Sequence, residues 1–153
     1  MMSSDLQRIE HIYDYCTEIQ KTIVRYGASF EIFDNDPDYQ RSISFSILQI
    51  GELSGSLSLE YRRATASRVQ WGPMKGMRNL VAHNYGSMSR DIIWETALTD
   101  IPVLKDFCQE QLSEFKLERS PSINQICAAA KAQAAELNAD KAHTAPVQEL
   151  EQN

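Results

Sequence analysis

The sequence predicts an all-α protein, an up-down bundle of four to five helices followed by a flexible or weakly helical C-terminal tail. Three observations carry that reading. Apolar residues recur at three- and four-residue steps over several long segments, the period of a helix with one buried face. No segment alternates apolar and polar residues for long enough to make a strand. Beyond Lys116 the aromatic residues stop and Ala, Gln and Asn take over, which divides the chain into a bundle at 1–117 and a tail at 118–153.

Taken in order, Ser3 or Ser4 can cap a first helix from about Asp5 to Tyr26, with Leu6, Ile9, Tyr13, Cys16, Ile19 and Ile23 on its inner face. Gly27 supplies the stop. A turn of helix over "SFEIF" and the loop "DNDP" lead to a second long helix, about Pro37 to Leu57. Its buried face is Tyr39, Ile43, Ile47, Ile50, Leu53 and Leu57, and Gly51, Ser54, Gly55 and Ser56 cluster in its second half. Gly inside a helix costs about 1 kcal/mol against Ala, so another backbone is expected close by, from within the fold or from a second subunit. Residues 58–70 form a short helix and a loop. Trp71-Gly72-Pro73 opens the next helix, Pro being tolerated in a first turn, and that helix ends near Tyr85-Gly86. A last long helix starts near Ser89 and buries Ile92, Trp94, Leu98, Ile101, Leu104, Cys108, Leu112 and Phe115, with a kink or break at Pro102. In the tail, Ile123, Ile126, Ala130 and Leu137 make one weak apolar face. The tail is read as mobile with transient helix, the alternative being a docking arm for a partner.

Composition narrows the function classes. The N-terminus lacks a basic stretch followed by an apolar one, so no secretory signal is expected, and no apolar run reaches the roughly 18 residues of a membrane span. Cys16, Cys108 and Cys127 are far apart. They fit reduced thiols in a cytoplasm, Cys16 and Cys108 packed as small hydrophobes. His11, His83 and His143 share no metal-ligand spacing, so no metal is expected. The net charge of −6 argues against non-specific nucleic-acid binding by the whole surface. Yet residues 61–90 contain no Asp or Glu and hold Arg62, Arg63, Arg68, Lys75, Arg78 and Arg90. A basic segment on an acidic protein points to an anionic ligand such as RNA or a nucleotide, with Arg62, Arg63, Arg68 and Lys75 as candidate contacts.

The segment "GMRNLVAHNY" places Arg78, Asn79, His83 and Tyr85 within eight positions. Cleaving RNA needs a base for the 2′-hydroxyl, an acid for the leaving 5′-oxygen and a cation for the charge on phosphorus. Imidazole titrates near neutrality and serves as either base or acid. Guanidinium binds phosphate as a fork. Asn79, four residues before His83, can orient the imidazole. Two difficulties remain: one His supplies half of the proton transfers, and five helical residues separate Arg78 from His83 by roughly 140°. A homodimer with its groove on the two-fold axis resolves both. The bland alternative is a helix-terminal His beside a surface Arg.

"WGPMKGMRNLVAHNYG" resembles the signature of the HepT-like family of HEPN-domain proteins, Arg, four to six residues, His, any residue, Tyr. "QIGELS" at 49–54 is similar to the Gly-Glu segment of the family's second long helix, and "DIIWETALTDIPVLKDF" to its last helix. The likeness covers about residues 5–116. It implies a metal-independent endoribonuclease, the toxin of a toxin–antitoxin pair, partnered by an MntA-type nucleotidyltransferase. By this resemblance Arg78 and His83 would be the ribonuclease residues, and Tyr85 the residue the partner adenylylates, using its own ATP and Mg. The ribonuclease itself would need no cofactor. Because some HEPN domains do not cleave, the alternative is a helical module that presents RNA or a nucleotide to the transferase.

Overall fold

The computed structural model of the chain describes residues 3–83, 89–119 and 123–143. Two compact units result, 1–115 and 116–153. Among the described residues there are helices and no strands, the all-α class the periodicity predicts.

In the first unit, α1 (Ser3–Tyr26) stops at Gly27, whose φ of 111° lies in the left-handed region that L side chains avoid. After the short α2 (Phe30–Asn35), α3 (Pro37–Ser56) begins at a capped turn. There the Asp36 carboxylate accepts from the N–H groups of Asp38 (3.0 Å) and Tyr39 (3.2 Å), and Pro37 occupies a position that needs no donor. Ser58 caps α4 (Leu59–Ala64), its Oγ accepting from the Tyr61 N–H at 3.1 Å. Next come α5 (Trp71–His83), α6 (Ser89–Glu95), a π-helical turn at Thr96–Asp100, and α7 (Ile101–Arg119).

Contacts between helix ends set the up-down order. The Tyr39 hydroxyl at the start of α3 donates to Gly27 O after the end of α1 (3.1 Å). At the other end, Asp5 near the start of α1 accepts from the Ser58 N–H (2.8 Å) and hydroxyl (2.6 Å) just past α3. Asp5 is 1% exposed; a buried carboxylate is tolerable only with such donors. α1 and α3 are therefore antiparallel. α7 returns alongside α1, with Lys105 donating to Gln20 (2.8 Å) and the Tyr61 hydroxyl donating to Gln111 (3.0 Å). The core between them holds Ile9, Ile12, Cys16, Ile19, Tyr39, Ile43, Ile47, Ile50, Leu104 and Cys108, all essentially inaccessible.

The predicted last helix needs correction. Ile92 and Leu98, expected inside, are 47% and 46% exposed, while Ile93, Ala97, Ile101, Leu104 and Cys108 are buried. The cause is the π turn. Pro102 has no N–H, and its ring would collide with the carbonyl four residues back. The chain meets this by widening the turn just before it, the Ile101 N–H donating to Thr96 O five residues back. The residue taken up in the wider turn resets the buried face. Trp94 still packs inward, stacked on Phe33 with ring centroids 5.1 Å apart. Ile12 is a further core residue absent from the predicted stripe.

The second unit contains α8 (Ile123–His143), and its side chains from 128 to 139 are all exposed, Ala130 and Leu137 included. No helix among the described residues is long and apolar enough to cross a membrane.

Cys16 and Cys108 are buried and unbridged, packed as the sequence suggests. Burial pushes the Cys16 thiol up to about 12, against a smaller opposing pull from the Lys105 charge, and burial raises Cys108 as well. An unfolded thiol ionises near 8.5. Above that pH the unfolded chain releases protons that the folded chain retains, so folding stability declines as pH rises towards 12. The wild type should lose up to about 1.4 kcal/mol per pH unit per thiol in this window. Urea unfolding of wild type beside Cys16→Ala, at pH 8 and pH 10.5, should show the smaller pH loss in the variant; equal losses would contradict the assignment.

Candidate active site

α5 lies against the second half of α3. A β-carbon on Gly51 would meet the Arg78 backbone N at 3.1 Å and the Met74 carbonyl O at 3.3 Å. One turn along, a β-carbon on Gly55 would meet only the Lys75 side chain, at 3.6 Å. The close approach that the small residues of α3 predict therefore comes from within the fold. The helices run antiparallel here, since Gly55 faces Lys75 while Gly51 faces Arg78.

A groove of about 500 Å³ opens between the two helices. Gly51 and Gly55 of α3 and Gly72 and Gly76 of α5 form much of its wall, and Lys75, Arg78 and Glu52 supply its charge. A β-carbon on Gly72 or Gly76 would meet nothing within 4 Å. Arg78 Nε stands 2.5 Å from Glu52 Oε1, the two side chains 58% and 46% exposed. So exposed a pair adds about 0–1 kcal/mol to stability.

The acid-free window is not an unneutralised patch. Glu52 holds Arg78, Glu110 holds Arg68, and Asp34 takes Arg90 at 2.6 Å. The hydrogen bond from Arg68 to Glu110 raises that guanidinium's pKa further, and Arg68 also lies over the Phe107 ring, 5.6 Å from its centroid. Arg68 lines a separate cavity of about 370 Å³ with Met74, Met77 and Val103. Arg62 and Arg63 sit on α4, outside the lining of the α3–α5 groove, and Arg62 Nε is buried with no hydrogen-bond partner among the described residues. Of the four basic residues singled out as RNA contacts, Lys75 alone lines the groove with Arg78. His83 is the last residue of α5, five positions beyond Arg78 on the same helix. The side chains of Asn79 and His83, and Tyr85 as a whole, lie outside the described residues. Among the described residues, no three His, Cys, Asp or Glu side chains gather as a metal site. Glu52 received no role from the sequence; the signal was its place beside Gly51 in "QIGELS".

A family description, "Ribonuclease HepT-like", matches residues 8–111, which contain both helices and the whole groove. The chain belongs to the HepT-like ribonuclease family. It is also 36% identical over 108 residues, 71% of this chain and 94% of the relative, to a protein of Caldanaerobacter subterraneus subsp. tengcongensis named "Putative RNase TTE0752". No solved structure matches it.

The α3–α5 contact predicts opposite outcomes at two glycines of one helix. Gly51→Val overpacks against backbone and should destabilise the HepT-like bundle by about 1–3 kcal/mol. Gly55→Ala, facing a flexible side chain, should be neutral or stabilising by up to about 1 kcal/mol. Denaturant melts of the two variants check this; equal effects would contradict it.

Proposed function

We propose that this protein is an endoribonuclease that uses the α3–α5 groove to cleave RNA without a metal ion. The observation that carries the reading is Arg78 and Lys75 lining one groove of a HepT-like chain. In this scheme the phosphodiester lies against the Arg78 guanidinium. An imidazole takes the proton of the 2′-hydroxyl, and the 2′-oxygen attacks phosphorus. The P–O5′ bond breaks as a second imidazole gives its proton to the 5′-oxygen, leaving a 2′,3′-cyclic phosphate and a 5′-hydroxyl. Charge developing on phosphorus is met by guanidinium, so the scheme calls for no metal. His83 supplies one imidazole, and a second copy of the chain supplies the other, which makes the working form a homodimer. Asn79 orients His83. Tyr85 accepts AMP from an ATP-using nucleotidyltransferase of the MntA type, and the added anion and bulk two residues along the sequence from His83 repel the RNA backbone. The physiological setting is a toxin–antitoxin pair.

Arg78→Ala should lower the cleavage rate by roughly 10²–10³ while the circular dichroism spectrum stays helical, and EDTA should leave the wild-type rate unchanged. Cleaved ends that resist ligation until cyclic phosphate is removed fit the scheme; free 3′-hydroxyl ends would refute it. Lys75→Ala should weaken RNA binding and shrink the salt dependence by about one unit of log–log slope. Arg68→Ala should change that slope little, since Glu110 holds its charge; the reverse ranking would move the interface to the Arg68 side of α5.

A further inference from the structure

From the ion pair in the groove we infer that Glu52 is a positioning residue, holding the Arg78 guanidinium in place for the phosphate. The inference rests on the ribonuclease reading and extends it to a residue of α3. A carboxylate at the mouth of a groove that binds an anion is, on charge alone, a disadvantage. It repels phosphate and neutralises part of the charge that attracts it. The pair is also too exposed to contribute much to stability. Its geometry supplies the reason to have it. The contact runs between Arg78 Nε and Glu52 Oε1 at 2.5 Å, and a carboxylate on the Nε side leaves the Nη1–Nη2 edge of the planar guanidinium for a bidentate phosphate.

Adjacent residues secure both ends of the arginine. Gly51 seats its backbone, the missing β-carbon standing 3.1 Å from Arg78 N, and Glu52 ties its tip. An arginine side chain has many rotamers, and a guanidinium left to sample them would spend most of its time away from the phosphate. Both anchors come from α3, so the position of this side chain is set by helix packing rather than by RNA.

The test is steady-state cleavage of one RNA substrate by the full chain, with rates normalised to the folded fraction. Glu52→Ala should lower kcat by about 10–100-fold and leave KM equal or lower, since a repelling charge has gone. Glu52→Gln, whose amide oxygen still accepts from Nε–H, should restore kcat to within about threefold of wild type. In an Arg78→Ala background, Glu52→Ala should cost nothing further. A wild-type kcat in Glu52→Ala overturns the positioning role. Equal loss in the Gln and Ala variants also overturns it, placing the proton or charge of Glu52 in the reaction. A rate above wild type in either variant identifies a brake instead. A wild type that cleaves no RNA, and matches Arg78→Ala, refutes the ribonuclease reading itself.

Discussion

At Gly51 a missing side chain lets the backbone of α5 settle onto α3, and the groove exists because of that contact. With any β-carbon there, the Arg78 amide and the Met74 carbonyl would have to move by tenths of an ångström, and packed interiors absorb such shifts poorly. The helices would separate where Arg78 emerges. On α5, Gly72 and Gly76 add no side chain to the lining beside Lys75 and Arg78, and the groove stays open at about 500 Å³ next to the contact at Gly51. Two opposite demands, contact at one level and space at the next, are met with the same residue type.

The electrostatics follow from the same packing. Six basic residues within thirty positions suggest a broad cationic face, but the bundle brings Asp34, Glu52 and Glu110 from three other elements onto three of them. Arg62, Arg63 and Lys75 have no ion-pair partner among the described residues; of these Lys75 alone lines the groove, beside Arg78, which is held at one nitrogen. A concentrated site on an acidic protein suits selective capture of one phosphate better than coating a nucleic acid.

Much of this architecture was legible in the sequence. Tyr39, Ile43, Ile47, Ile50 and Leu57 of the predicted stripe are buried and Leu53 partly so, the stop at Gly27 is a left-handed glycine, and among the small residues of α3 Gly51 does face another backbone. Local chemistry decides each of these. The errors lie where a long-range or geometric term intervenes. A constant helical period through residues 89–115 placed Ile92 and Leu98 inside, because periodicity carries no sign of a π turn ahead of Pro102. Counting charges over residues 61–90 missed acids from distant segments. Glu52 went unassigned for the same reason: twenty-six positions separate it from Arg78, and only the antiparallel packing of α3 on α5 joins them. Of the cluster in "GMRNLVAHNY", Arg78 lines the groove; its partner Glu52 was not legible from that segment.

The account's central claim is that RNA phosphate is held between α3 and α5 at Arg78. Backbone amide NMR with an RNA made non-cleavable by a 2′-deoxy substitution at the scissile nucleotide tests it directly. Shifts concentrated at Gly51, Glu52, Gly55, Gly72, Lys75, Gly76 and Arg78, and weakened by added salt, are the predicted result. Shifts confined to α1 or α8, with the amides of the groove unmoved at saturating RNA, would contradict it.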